Sequence, residues 1–161
     1  MKINSGCIIN INNNLLLFKH KDGKYSIPEN VIKDDELLKV ACIRIVQERT
    51  GLNVLPTAMF GVYDALDRGY QERTIGVYYI THIDMLQEHA DKLIQEQNAK
   101  LKAENPECDY ELFLLSLVDV ENQEYMYDHK IIMNNYFRIL MLGSQTHHNS
   151  SLEKKKQENK E

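Results

Sequence analysis

The sequence predicts a single α/β (α+β) domain with strands and helices along one chain. Short runs rich in β-branched and aromatic residues predict strands, and three longer segments of helix-forming residues carry capping or stop signals. The length of 161 residues is enough for one hydrophobic core and requires no second module. We expect residues 1–145 to form this domain and the polar, charged residues 146–161 to be a disordered tail.

The amino-terminal part of the chain predicts strands joined by tight turns. Residues 7–18 contain the apolar runs CII and LLLF around three consecutive Asn residues, which tolerate the left-handed conformations of a hairpin turn. Residues 24–27 predict a short strand ended by Pro28, because Pro cannot donate to a central ladder.

A well-delimited helix is expected over residues 35–50. Asp34 is placed to cap its first amides, and Gly51 is placed to end it in a left-handed turn. The apolar residues of this segment cover more than one narrow stripe, which indicates burial on several sides.

The second half of the chain begins with two predicted strands, residues 58–63 and 74–83, joined by the polar loop DALDRGYQER. A polar, helix-favouring segment over residues 84–106 follows, and Pro106 acts as its stop. Residues 111–118 predict another strand, and residues 128–142 predict a closing helix capped by Asp.

Composition argues against several classes of function. The net charge of -5 disfavours a DNA or RNA partner, and no apolar run reaches the roughly 20 residues that cross a bilayer. The amino terminus lacks the features of a secretory signal. Three widely separated Cys residues give neither a disulfide framework nor a zinc site. We therefore expect a cytoplasmic protein that binds neither nucleic acid nor membrane.

One motif carries the functional interpretation. Residues 30–52 read NVIKDDELLKVACIRIVQERTGL, which resembles the Nudix box, G-x5-E-x7-R-E-U-x-E-E-x-G-U, where U is apolar. Six fixed positions agree, namely Glu36, Arg44, Val46, Glu48, Gly51 and Leu52. Three depart: Asn30 replaces the first Gly, Ile45 replaces the Glu after the Arg, and Arg49 replaces the last Glu.

The resemblance to the Nudix hydrolase superfamily extends beyond the box. KYSIPEN is similar to the W-x-L-P-G-G lead-in, and FGVYDALDRGYQERTIGVYY resembles the corresponding region of ADP-ribose-type Nudix domains. The segment before the closing helix, with Asp128 and His129, is similar to the L-x-F-D-H segment. The resemblance implies a Nudix fold, a mixed β-sheet sandwiched between helices, and makes residues 84–106 an extra helical insertion.

The resemblance also implies a degenerate catalytic site. Nudix enzymes use the glutamates of the box to hold Mg²⁺ against a diphosphate, and this helix face offers Ile45, Glu48 and Arg49 instead. Glu48 is the residual catalytic candidate, and Glu48 with Glu36 are the candidate metal ligands, so Mg²⁺ or Mn²⁺ is expected to bind weakly. Arg49 either supplies the positive charge that the metal once supplied or is a solvated helix residue.

Seven residues are candidates for ligand binding. They are Tyr25, Arg44, Arg49, Asp67, Arg68, Arg73 and His129. Each has a structural alternative: the three loop residues lie at a solvated hairpin tip, Tyr25 lies in the core, and His129 is structural. As in the family, Glu36 and Arg44 form an ion pair that positions the helix, or else they are simple surface charges.

Three functions follow from these observations. The leading hypothesis is a protein that binds a nucleoside-diphosphate-linked small molecule, similar to ADP-ribose, with lost or weak hydrolysis. The alternative is an active, metal-dependent pyrophosphohydrolase that uses a rearranged carboxylate set in which Glu29 joins Glu36 and Glu48, although the sequence favours Glu29 as an exposed loop residue. The third is an interaction module in which the apolar stripe of residues 84–106, with Leu93 and Ile94, forms a homodimer or docks a partner.

Overall fold

The computed structural model describes the backbone of residues 1–158 and the side chains of residues 1–143. The strands are β1 Lys2–Ile11, β2 Asn14–His20, β3 Tyr25–Ser26, β4 Glu29–Val31, β5 Ala58–Tyr63, β6 Thr74–Ile83 and β7 Tyr110–Ser116. The helices are α1 Leu38–Thr50, α2 Gln87–Glu104 and α3 His129–Glu158, and a 3₁₀ helix over Leu117–Asn122 follows β7. None of the helices in this part of the chain is long and apolar enough to cross a membrane.

All seven strands form one mixed sheet around β1. The order is β3-β2-β1-β6-β5, with β4 also paired to β1 and β7 to β2. β1 and β6 run parallel from Lys2 opposite Thr74 to Ile11 opposite Ile83, and the other named pairs are antiparallel. Along its other edge β1 pairs first with β4 and then with β2. This arrangement brings the short strand β4 beside the amino-terminal half of β1.

The β1–β2 hairpin confirms the turn predicted from the run of Asn residues. Asn12 and Asn13 have φ values of 53° and 66°, and Ile11 pairs with Asn14 across the two-residue turn. Asn tolerates this left-handed region better than most residues, which explains why the turn needs no Gly.

Two clusters of buried side chains cover the two faces of the sheet. Alternate residues of β1 and β2 point to opposite faces, as strand geometry requires. One cluster joins Cys7, Ile9, Leu16 and Phe18 to α1 and α2, and the other joins Ile8, Leu15 and Leu17 to Ile132, Met133 and Tyr136 of α3. The predicted sheet sandwiched between helices is therefore confirmed.

Helix α1 starts later than expected. Its N-cap is Leu37, which makes no side-chain cap, so the start predicted next to Asp34 is wrong. The preceding turn is held instead by Glu36, whose carboxylate accepts from the Lys33 amide and from Arg44. The predicted end is confirmed, since Gly51 has a φ of 75° and donates its amide to the Gln47 carbonyl.

Helix α2 packs its apolar stripe on its own domain. Ala90 is buried, and Leu93 and Ile94 pack against the cluster beneath α1. Asn98 exchanges two hydrogen bonds with the backbone of Leu112 in β7. The stripe that motivated the dimer hypothesis is thus covered from within the chain.

Helix α3 extends beyond the predicted end at residue 142. It runs through Gly143 to Glu158, into the segment where disorder was expected. A single Gly inside a helix costs about 1 kcal/mol, which does not by itself end a long helix, and the Leu, Glu, Lys and Gln residues of 152–158 favour helix. Residues 159–161 of the expected tail lie outside the described residues.

Candidate functional site

A cavity of about 760 Å³ is lined by two of the three substituted box positions, Asn30 and Arg49. It lies among the amino-terminal end of β1, strands β3 and β4, the last turn of α1, the β5–β6 loop and the residues that precede α3. Its polar and aromatic lining includes Asn4, His20, Glu29, Arg49, Tyr70 and Tyr127. A volume of this size is typical of small-molecule sites.

Glu29 places a buried carboxylate in this lining. The residue is only 9% exposed, and four side chains donate to its two oxygens. Oε1 accepts from the Tyr70 hydroxyl and from His129 Nε2 at 2.8 Å. Oε2 accepts from the Tyr78 hydroxyl at 2.7 Å and from Asn4 Nδ2 at 3.3 Å. The sequence interpretation of Glu29 as an exposed loop residue is therefore wrong.

The tautomer of His129 follows from its neighbours. The Ile27 amide donates to Nδ1 at 3.0 Å, so Nδ1 is an acceptor and the ring proton is on Nε2. Nε2 therefore donates to Glu29, and the fully buried imidazole holds the carboxylate from the start of α3. Since His129 has no exposed surface, its structural alternative fits better than direct ligand contact.

These donors decide the ionisation of Glu29. Burial alone would raise the pKa of its carboxyl, but the His129 imidazole and the Tyr70 and Tyr78 hydroxyls stabilise the charged form. Together they hold the pKa of Glu29 at about 2, below its ordinary value. The carboxylate is thus stabilised by the electrostatic effect of the adjacent His129 and by hydrogen bonds, without a direct ion pair with Lys or Arg.

Arg68 joins this hydrogen-bond network through the Tyr78 hydroxyl. It is 3% exposed and forms an ion pair with Asp128, with Nε 2.7 Å from Oδ2 and Nη2 2.9 Å from Oδ1. Nη2 also donates to the Tyr78 hydroxyl, and Nη1 donates to the Thr74 carbonyl. Tyr78 accordingly accepts from Arg68 while it donates to Glu29. With its donors engaged in this way, Arg68 contributes to the architecture of the site.

Two glycines make room for the buried network. A Cβ on Gly6 would come within 2.9 Å of the Glu29 and Tyr78 side chains. A Cβ on Gly76 would come within 2.6 Å of both Arg68 and Tyr78. Both distances are too short for real side chains, so the strands need Gly at these positions to admit the network.

Arg49 lies on the inward stripe of α1. Cys42, Ile45 and Val46 are fully buried, and Arg49 follows them at spacings of seven, four and three, which share one helix face. Its guanidinium carbon is 4.7 Å from the centre of the Phe18 ring and 5.6 Å from that of Tyr110. Its Nε is buried without a hydrogen-bond partner in the described part of the chain. Arg49 is therefore more than a solvated helix residue.

The helix position of Ile45 differs from the expectation. Ile45 has no exposed surface and does not share an accessible face with Glu48. Glu48 is exposed, and its Oε2 accepts from Arg44 Nη1 at 3.0 Å. Ile45 therefore lies on the buried face of α1 and Glu48 on its exposed face, so the two box positions point in different directions.

Glu36, Arg44 and Glu48 form an ion-pair network at the surface of α1. Arg44 donates to both oxygens of Glu36, each at 2.7 Å, in a bidentate pair. Hydrogen bonding to Arg44 lowers the pKa of Glu36 to about 2. The hypothesis that Glu36 and Arg44 position the helix agrees with this geometry, and both acids already serve one guanidinium.

The other candidate residues lie away from the cavity lining. Asp67 accepts from the Gly69 amide in an exposed turn, and Arg73 is exposed beside β6. Tyr25 is 4% exposed and packs among Phe113 and Tyr125. Of the seven predicted ligand residues, Arg49 is the one that lines the cavity.

A divalent metal does not fit the carboxylates of α1 as they stand. Mg²⁺ and Mn²⁺ require several oxygen ligands at one place. Within the described residues, no group of three or more His, Cys, Asp or Glu side chains is arranged to hold a metal ion. Glu29 is also committed to four donors, so the rearranged carboxylate set that the enzyme hypothesis requires is not assembled.

Two aromatic residues of the lining, Tyr70 and Tyr127, were not predicted as site residues from the sequence. Tyr70 and Tyr127 stack with ring centres 3.9 Å apart and an angle of 3° between planes. Tyr70 comes from the β5–β6 loop and Tyr127 from the residue pair before α3. No local pattern marks this pairing, because the two residues are far apart in sequence and outside regular elements.

Sequence comparisons give no match, either to a family model or to a curated protein. Solved structures do match. A MutT/Nudix family protein from Listeria innocua superposes with a TM-score of 0.68 at 18% identity, over 90% of this chain and 97% of that one. The Nudix domain of Shewanella oneidensis NrtR, solved with ADP ribose, gives 0.62 at 14% identity, over 87% and 88%.

A third similar structure is a bifunctional NMN adenylyltransferase/ADP ribose pyrophosphatase from Francisella tularensis, complexed with AMP and a Mn ion. It gives a TM-score of 0.56 at 16% identity, over 89% of this chain and 41% of that one. At these identities the likeness establishes the fold. The chain has the Nudix fold, as its motifs predicted.

Proposed function

We propose that this protein binds a nucleoside-diphosphate-linked compound of the ADP-ribose type in the cavity beside Arg49, and that it hydrolyses this compound slowly or not at all. The Nudix fold supports this proposal, since the similar domain from Shewanella NrtR was solved with ADP ribose. The 760 Å³ cavity is large enough for a ligand of this class.

Arg49 is the observation that carries the binding proposal. Its guanidinium lies at the cavity without an ion-pair partner among the described residues, and its buried Nε lacks an acceptor. A guanidinium binds phosphate oxygens through paired donors and stays charged at all physiological pH values. A diphosphate would supply both the charge and the acceptor that Arg49 lacks.

The neighbours of Arg49 suit an anion as well. His20 also lines the cavity, and its Nε2 is 2.8 Å from the Ser26 hydroxyl. Burial lowers the pKa of His20, and the charge of Arg49 acts in the same direction. The imidazole is therefore a neutral hydrogen-bonding group beside Arg49, whereas Lys2, the other cation of the lining, already pairs with Glu72.

Weak hydrolysis follows from the arrangement of the acids on α1. Glu36 and Glu48 both bind Arg44, and Ile45 is buried where the family has a metal-ligating Glu. The positive charge of Arg49 in the last turn further disfavours a divalent cation there. The Mn ion in the Francisella structure belongs to that protein.

Calorimetric titration of ADP-ribose in the presence of a chelator tests the binding proposal. Arg49→Gln should weaken binding by about tenfold to a hundredfold, because charge-assisted hydrogen bonds contribute about 1.5–3 kcal/mol. Arg49→Lys should recover only part of the loss, since the fork geometry is missing. The matched control is Arg73→Gln, which removes an exposed Arg outside the lining and should leave affinity unchanged.

The hydrolysis proposal needs a separate assay. Product formation from ADP-ribose is followed with Mg²⁺ or Mn²⁺ and at high protein concentration, and we expect no metal-dependent turnover. Rapid turnover that disappears in Glu48→Gln would restore the enzyme alternative. Equal ADP-ribose affinity in the Arg49→Gln protein would refute the assigned role of Arg49.

DNA binding by this chain is a separate expectation from small-molecule binding and is tested separately. Shewanella NrtR has also been solved in complex with a 27mer DNA. We expect no DNA binding by this chain because of its net charge of -5, and a gel-shift experiment at low salt checks that expectation.

A further inference from the structure

The stacked pair Tyr70 and Tyr127 forms a rigid aromatic wall of the cavity. Both residues line it, and Tyr127 is 44% exposed. The Tyr70 hydroxyl donates to the buried carboxylate of Glu29, which fixes one end of the ring. The guanidinium of Arg68 lies 5.1 Å from the Tyr70 ring centre. Tyr70 is therefore held in place, and Tyr127 is the more accessible ring of the pair.

The backbone of Tyr127 has an unusual conformation for a bulky residue. Its φ is +53°, in the left-handed region that Tyr rarely adopts. The surrounding contacts hold it there: the Met126 amide donates to the Tyr25 carbonyl, and the His129 amide donates to the Met126 carbonyl. Strained residues that persist in this way are often found at ligand sites.

The β5–β6 loop is shaped to receive this ring. Gly69 has a φ of +88°, and a Cβ there would lie 3.2 Å from the Cα of Tyr127. A larger residue at position 69 would have to adopt this strained φ and shift the loop or Tyr127 by a few tenths of an ångström, so Gly69 suits the close approach of the two segments. The two stacked residues are 57 positions apart in sequence, and each segment leaves room for the other.

An unpartnered acceptor lies in the same cavity. Asn4 is 7% exposed, and its Nδ2 donates to Glu29 Oε2. Its Oδ1 is buried without a partner among the described residues. Since Glu29 requires a donor, the amide orientation is fixed and Oδ1 remains an acceptor. A ligand that brings an N–H or O–H group to this wall would satisfy it.

We propose that Tyr127, supported by Tyr70, is a stacking platform for the aromatic base of the ligand. The inference rests on the proposed function and narrows it: the ligand is a compound with a nucleobase rather than a sugar diphosphate or an inorganic polyphosphate. Arg49 binds its phosphates, and Tyr127 contributes the contact that distinguishes base-containing compounds. The stacking geometry suits any planar base, so Tyr127 selects for a base without selecting which one.

Binding of ADP-ribose and of inorganic pyrophosphate to Tyr127→Asn tests the platform. Asn removes the ring but tolerates the left-handed backbone, so the change should relieve strain and preserve the fold. We expect ADP-ribose affinity to fall by about fivefold to a hundredfold, the range for loss of one stacked base, while pyrophosphate affinity stays unchanged. Tyr127→Phe retains the ring and should restore ADP-ribose binding, whereas Tyr127→Leu should not.

The outcomes separate this inference from the proposal on which it rests. If the unaltered protein binds ADP-ribose and Tyr127→Asn binds it equally well, the platform is wrong and the proposed function stands. Equal losses of ADP-ribose and pyrophosphate affinity would also overturn the platform, because the effect would then be general. If the unaltered protein binds neither compound, both proposals fail.

A measurement on the unaltered protein covers the case in which a variant does not fold. Nuclear Overhauser effects between the adenine protons of bound ADP-ribose and tyrosine ring protons should appear, with upfield ring-current shifts of the adenine signals. The tyrosine signals are identified by their loss in Tyr127→Phe, which changes the ring pattern. Adenine signals without any upfield shift in the bound state would refute stacking.

Discussion

Replacing Glu29 with Gln is expected to destabilise the protein strongly, although the two side chains have the same shape. The carboxylate accepts from four donors, two at each oxygen. A Gln amide turns one of these acceptors into a donor. His129 cannot compensate by changing its tautomer, because its Nδ1 already accepts from the Ile27 amide. At least one buried donor is then left without an acceptor.

The size of the effect follows from the pKa of Glu29. A carboxyl held at about 2 instead of 4.5 stabilises the folded state by about 3 kcal/mol, since a tenfold change in a protonation equilibrium is about 1.4 kcal/mol. Burial of the carboxylate keeps solvent screening low. With a urea slope of about 2 kcal/mol per molar, the midpoint of unfolding should fall by about 1.5 M at pH 7.

The pH dependence gives the sharper test. Because folding depresses the pKa of Glu29, its contribution is complete above the unfolded value of 4.5 and is lost as pH falls toward about 2. Urea unfolding followed by circular dichroism should show a constant difference between the two proteins from pH 7 to about pH 5, which then narrows. The control is the exposed Glu124→Gln, expected to leave the midpoint unchanged. A difference below about 0.5 M at pH 7, or one that is undiminished at pH 3, would refute the reasoning.

Two further predictions concern residues that the structure places in the interior. Ile45→Glu should destabilise the fold by about 3–5 kcal/mol rather than rebuild a metal site, because it buries a carboxylate where Ile45 has no exposed surface. Thermal melts with and without Mg²⁺ check this, and metal-dependent recovery would contradict it. Arg68→Met should cost about 3 kcal/mol and lower Tm by about 6–12 °C, since it leaves Asp128 without its ion-pair partner. Scanning calorimetry measures the change, and an unaltered Tm would show that the pair is dispensable.

The elements that the sequence predicted well are those with local signals. The β1–β2 hairpin follows from the residues of its own turn, and the end of α1 follows from Gly51 alone. Both α2 and α3 were recognised from their composition. Helix boundaries were predicted less accurately than the helices themselves. The turn before α1 is held by the contact between Glu36 and Arg44, and no local signal near Asp34 reveals that contact.

The candidate site was harder to predict because its contacts are distant in sequence. Glu29 and His129 are separated by 100 positions, and Arg68 and Asp128 by 60. Periodicity describes the neighbours of a residue within one element and gives no information on such pairs. A Glu after Pro in a short strand therefore suggested a surface residue, whereas the tertiary structure surrounds it with donors.

Arg49 shows how a correct alignment can still misplace a side chain. The Nudix box located the residue and identified the missing carboxylates. It also suggested that residues 45, 48 and 49 share an accessible face, but a helical rotation of 100° per residue puts Arg49 closer to the direction of Cys42 and Ile45. The burial of those two residues turns Arg49 inward, toward Phe18 and the cavity.

We place the proposed anion beside Arg49 because the protein satisfies the charges of Glu29 and Arg49 to different extents. Glu29 carries a negative charge that four donors within the protein already satisfy, so it gains little from a cation. Arg49 carries a positive charge that contacts aromatic rings and has no carboxylate partner among the described residues. A half-buried guanidinium of this kind is costly until an anion approaches it. Binding of a diphosphate would therefore stabilise the folded protein as well as fill the cavity, because ligand affinity and folding free energy are linked.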